Sequence, residues 1–206
     1  MTSPIKRRFE EKASGEEYLH KDAWAVVRRQ LEHAEANHRG ALYDDLVAMI
    51  FAFHSIEGFL NFVGDKIAPE IWRDEKEHFK GTGIDGKLKK ICKLCGLGEP
   101  QKGRRPYSTL STLKYLRDEM AHPKPRKTKR VKQFTEGKTP PLFPTPYLST
   151  LVSHEKALQA RDDVKRIADD IHNASRAKFP DADLGTDALE GIFAMRTTDT
   201  RLAEPC

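Results

Sequence analysis

The stretch LRDEMAHPKP, residues 116–125, sets Arg117 and His122 five positions apart at the close of a helical pattern. Arg117 offers a planar, permanently charged fork that suits a phosphate. His122 can take or give a proton near neutral pH. Asp118 stands four residues before His122, a spacing that puts two side chains on one helix face. A carboxylate there would orient the imidazole and favour its charged form. Lys124, Arg126, Lys127, Lys129, Arg130 and Lys132 follow, with no acid among them. RNA cleavage without a metal needs such parts: a base for the ribose 2′-OH proton, and a cation for the charge on a pentavalent phosphate. A plainer reading fits the same residues. Helix C-termini favour cations because of the macrodipole, and a charge run is often a solvated loop. On an ideal helix Arg117 and His122 point about 140° apart. They share a face only if the last turn loosens, which Pro123 encourages.

The other candidates are weaker. Glu57 lies between Leu46 and Ile50 on the apolar face of a long helical pattern, bordered by His54 and Asn61. A carboxylate on a buried face is costly unless paired, and Arg117 is its candidate partner. Glu57 and Asn61 then either support Arg117 from behind, form a structural ion pair, or sit at the edge of the face. GTGIDG, residues 81–86, matches a dinucleotide-binding glycine pattern. That chemistry requires a preceding strand, and DEKEHFK is no strand. The glycines are read as a loop. The lone CKLC has no second cysteine pair to complete a tetrahedral zinc site, so Cys92 and Cys95 are read as buried thiols. His20, His33, His38, His78, His154 and His172 are read as isolated in polar surroundings, without a role. No metal site and no cofactor are expected.

Composition sets the outer bounds. Of 206 residues, 38% are hydrophobic and 33% charged; the net charge is +5. A modest basic excess permits a nucleic-acid partner without requiring one. Three cysteines in such a chain argue for a reducing compartment. The first residues show no secretory pattern. The longest apolar run, LVAMIFAF, is far shorter than the ~20 residues that span a bilayer. The expectation is a soluble cytoplasmic protein with no membrane partner.

These groups need elements to position them, and the periodicity supplies helices. Apolar residues recur at helical spacing over about 15–38, 41–66, 85–97, 106–122 and 149–178. Leu42, Leu46, Met49, Ile50, Phe53, Ile56, Leu60 and Val63 share one face of the second stretch, while Val47, Phe51, Phe59 and Phe62 cover others. A helix apolar on most sides is central to a bundle. No run of alternating β-branched residues occurs. The expected fold is all-α: four to five main helices, with a long basic, proline-containing loop at 123–149 before the last long helix. Residues 1–14 read as a flexible segment, 15–178 as the helical domain, and 179–206 as a polar tail whose one short apolar stretch, LEGIFAM at 189–195, could dock or form a turn of helix.

Arg117 to His122, R-D-E-M-A-H, resembles the R-x(4–6)-H motif of the HEPN superfamily (higher eukaryotes and prokaryotes nucleotide-binding). Asp118 matches the polar residue that commonly follows the arginine there. The helix FAFHSIEGFLNFVG, residues 51–64, is similar to the family's earlier core helix, which often carries an acid and an asparagine. The resemblance covers roughly residues 15–178. It implies a HEPN-like bundle that forms a homodimer with two motifs facing across a cleft. It also implies a metal-independent ribonuclease of toxin–antitoxin, phage-defence or RNA-processing type, with RNA and an antitoxin or other protein as partners. Arg117 and His122 would then be catalytic and Asp118 supporting. Other members only bind nucleotides, RNA or proteins. Lys124 departs from the tyrosine that some family toxins carry two positions after the histidine.

Overall fold

The computed structural model describes residues 9–127, 146–191 and 194–202, with backbone alone in 9–14 and 194–202. Among these, the chain is mostly helical. In order it forms β1 (Phe9–Glu17), α1 (Leu19–Ala36), α2 (Ala41–Ile67), α3 (Pro69–Arg73), α4 (Glu75–His78), α5 (Gly83–Cys95), α6 (Tyr107–Ala121), α7 (Leu148–Leu151), α8 (His154–Lys178) and β2 (Ala194–Leu202).

Helix α2 is the centre because it has two apolar seams. Leu46, Met49, Phe53, Ile56, Leu60 and Val63 alternate steps of three and four, as do Ala48, Ala52, Ser55 and Phe59, and all are buried. One seam serves one neighbour; two seams let α2 touch α1, α3, α5, α6 and α8. Helix α1 contributes Trp24, Val27, Leu31 and Ala34 at the same spacing, and α8 contributes Ala157, Ala160, Val164, Ile167 and Ile171. By length and composition α2 could cross a membrane, which the single run LVAMIFAF understates. In this fold it is the bundle's core.

Close approach sets several details. Gly64 lets the Trp72 ring lie directly on α2, and Trp72 and Phe79 pack with centroids 4.9 Å apart. Gly96, with φ at 75°, ends α5 and turns the chain so that the Leu97 N–H reaches the Cys92 carbonyl at 2.8 Å. The glycines of GTGIDG follow helices, not a strand, and lead into α5. No strand leads into them, as expected, but the loop reading holds only for Gly81: α5 begins at Gly83 and takes in Gly86.

Three features depart from expectation. Strands β1 and β2 form a two-stranded antiparallel sheet pairing Phe9 with Leu202 and Glu17 with Ala194. Part of the segment read as flexible is thus a strand. Second, the docking of the tail begins before LEGIFAM: Leu184 and Ala188 are buried along with Leu189, and His172 Nε2 donates to the Leu184 carbonyl at 3.2 Å. Third, His20 and His172 are buried rather than in polar surroundings.

His20 makes the fold sensitive to acid. Its ring packs against Phe59 and Phe62, 5.9 and 5.1 Å between centroids. Burial, with Lys21 beside it, holds the imidazole down at about 4. In the unfolded chain it titrates near ~6.5. The unfolded chain therefore binds the extra proton between those values. The contribution to stability is complete above about 6.5 and is lost as pH falls toward 4. Going from about pH 7 to pH 5 should remove roughly 2 kcal/mol through this group. Denaturation midpoints at the two pH values check it. His20→Phe should lose that share of the pH dependence.

Candidate functional site at the end of helix α6

Helix α6 carries Leu110, Leu113 and Leu116 into the core and leaves Arg117 on its border. The guanidinium carbon of Arg117 lies 4.9 Å from the centroid of the buried Phe53 ring. Its Nη1 is 3.0 Å from Asp118 Oδ1. Its Nε is buried and has no hydrogen-bond partner among the described residues. The side chain is still 33% exposed, so the planar group is held on one face and reachable on another. An aromatic face under a guanidinium contributes about 0.5–2 kcal/mol, more as water is excluded.

His122 caps the helix. Its φ of −129° and ψ of 58° leave the helical region, while its N–H still bonds the Asp118 carbonyl at 3.0 Å. Pro123 explains the break, since the residue before a proline is pushed out of helical geometry. The sequence predicts Asp118 beside the imidazole. The structure instead gives the Asp118 carboxylate to Arg117, because the i, i+4 relation fails where the helix stops. The His122 side chain is exposed and has no hydrogen-bond or ion-pair partner among the described residues.

Neither residue read as support bonds to Arg117. Glu57 is half-buried and makes no ion pair with Arg117. Asn61 accepts from Lys87 Nζ at 2.7 Å, and Lys87 also pairs with Glu75. Asn61 therefore belongs to the α2–α5 contact. Phe53 is the supporting residue that sequence reading missed. It carried no signal beyond its place on the core seam. His54 lies edge-on to the same ring, with centroids 6.0 Å apart.

The base of the basic loop is clasped onto α6. Arg126 pairs with Glu119, and its guanidinium sits 3.8 Å over the Tyr147 ring. Tyr147 and Tyr115 share a hydroxyl hydrogen bond of 2.6 Å. Arg126 thus has a local task. Lys124 and Lys127 are exposed, and Lys129, Arg130 and Lys132 lie outside the described residues.

Elsewhere, Cys92 and Cys95 are buried as expected. Burial pushes the Cys92 thiol up to about 11, and Cys95 Sγ lies 3.1 Å from Ser175 Oγ. Such thiols are poor nucleophiles. Two acids missed in the sequence are buried and paired. Asp45 meets His154 Nδ1 at 2.8 Å, and Asp163 is held by Arg105 and Thr109. An open cavity of about 1110 Å³ around Trp72, Glu75 and Phe79 includes neither Arg117 nor His122. The pair stands on the outer end of the bundle, beside the exposed Met120.

Comparisons of the chain with family models, curated proteins and solved structures gave no match.

Proposed function

We propose that the chain is a HEPN-like, metal-independent endoribonuclease that acts as a homodimer in the cytoplasm. A toxin–antitoxin, defence or RNA-processing role fits that class, with an antitoxin or another protein as the controlling partner. The observation that carries the reading is Arg117, fixed on Phe53 with a buried Nε that has no partner among the described residues, five positions before an exposed histidine. A buried N–H without a partner is uncommon and costly, and a phosphate oxygen is a partner that would satisfy it. In the reaction His122 takes the proton from the ribose 2′-OH. The oxygen attacks phosphorus, the bond to the 5′ oxygen breaks to leave a 2′,3′-cyclic phosphate, and the 5′ oxygen leaves with a proton taken from water. Arg117 stabilises the charge that builds on the phosphoryl oxygens. A second copy would supply its own pair across the cleft and cover Met120.

A non-catalytic binding module of the same fold is the alternative, and the Arg117–Asp118 ion pair favours it. That pair already neutralises the cation a phosphate would need. Incubation with labelled total RNA and transfer RNA in EDTA decides. The nuclease reading expects cleavage, reduced about 10²-fold or more in His122→Ala and similarly in Arg117→Ala. Cleavage that both variants retain, or a folded dimer that cleaves nothing, overturns it.

A further inference from the structure

The other end of α6 carries a second concentration of positive charge. Residues 86–107 hold seven basic residues against one acid, Glu99. The loop from α5 to α6 carries several of them and has a cavity on each side. One, of about 460 Å³, is lined by Arg104, Arg105, Tyr107 and, from α8, Arg166, Asp170 and Asn173. The other, of about 480 Å³, is lined by Lys89, Lys102 and, from α6, Lys114, with Asp85 pairing Lys102 at 2.9 Å. Glu99 borders both, and Lys89 holds it at 2.6 Å.

The arginine cavity is built rather than incidental. Arg105 donates from Nε and Nη2 to the two oxygens of Asp163, at 2.8 and 3.0 Å. Asp163 is 5% exposed and also accepts from Thr109 at 2.5 Å. The guanidinium is therefore locked in plane, and its Nη1 makes no bond among the described residues. Arg104 has no side-chain partner among them, and Arg166 has only Asp170, 4.0 Å away at an exposed edge. A locked fork loses little freedom on gripping a phosphate.

We propose that the Arg104–Arg105–Arg166 cavity is a phosphate subsite for an RNA backbone. RNA as the source of that phosphate rests on the proposed function. Across the loop Lys114, which has no ion-pair partner among the described residues, offers a further contact, which argues for a repeating anion rather than a lone phosphate group. The Tyr107 ring in the wall offers an aromatic surface of the sort bases use. Along α6 the rise from Tyr107 is about 15 Å to Arg117 and about 22 Å to His122. One strand would touch both ends of the helix.

The test uses the full chain carrying His122→Ala, so that RNA survives whether or not the protein cleaves. A labelled 20-nucleotide single strand is titrated by anisotropy at several salt concentrations. Arg104→Gln/Arg166→Gln is then added. Arg105 is left alone because it holds Asp163, and an unchanged melting profile confirms folding. The expected result is about tenfold weaker binding and a salt slope smaller by about 1.4, from two lost phosphate contacts. Unchanged affinity and slope overturn the proposal. So does loss of inorganic pyrophosphate binding with RNA affinity intact, which would mark a small-phosphate site. Cleavage by the wild type is read separately. Weakened RNA binding with no wild-type cleavage would sink the nuclease and keep the subsite.

Discussion

Phe53→Ala should unfold about 3–5 kcal/mol more easily than the wild type. The ring is fully buried on the inner seam of α2, where truncation leaves a space that neighbours cannot close. The same ring is the platform for Arg117, so the loss has two parts that a second variant separates. Phe53→Leu keeps most of the volume and removes the aromatic face. It should cost much less stability, below about 2 kcal/mol, and still free the guanidinium. If Arg117 serves a phosphate, cleavage by Phe53→Leu should fall about tenfold or more while the melting curve barely moves. Equal cleavage by Phe53→Leu and wild type would show that the stack is packing alone. Chemical denaturation and the EDTA assay read the two parts.

Gly64→Ala should be nearly as damaging, against helix propensity, which favours alanine by about 1 kcal/mol. A Cβ at position 64 would fall 1.9 Å from Trp72 Cε2, with Cζ2 and Cδ2 at 2.2 and 2.3 Å. Those atoms belong to a rigid ring that is itself buried against Phe79. Either the indole leaves its place or α3 moves off α2. The expected cost is about 3 kcal/mol, at the upper end of overpacking. Trp72→Leu should be destabilising alone yet relieve Gly64→Ala, giving a coupling of more than about 1 kcal/mol in the cycle. An alanine variant as stable as the parent would rule out this close approach.

Much of the fold was readable because α1, α2 and α8 each carry an apolar seam long enough to declare its period. The strands were not. FEEKASGEE has no alternation, and its partner lies some 180 positions away, so no local window contains the pairing. The docked stretch was legible only in part: LEGIFAM flagged Leu189, while Leu184, alone among polar and small residues, announced no surface to cover. Asp45 and Asp163 look like exposed charges until their partners on other helices are known. At the candidate site the residue types at Arg117 and His122 were legible. Their arrangement was not: the helix end that frees His122 also redirects Asp118, and the stack on Phe53 joins residues 64 positions apart.

The register of β1 and β2 has a mechanical consequence. It sets positions 9 and 202 opposite one another at the outer end of the ladder, and 17 and 194 at the inner end, next to the bundle. A load pulling positions 9 and 202 apart would open rungs one after another, like a zipper. Little tension would reach α1 or the docked segment before the innermost pair parted. The ladder would act as a mechanical fuse for the helices behind it.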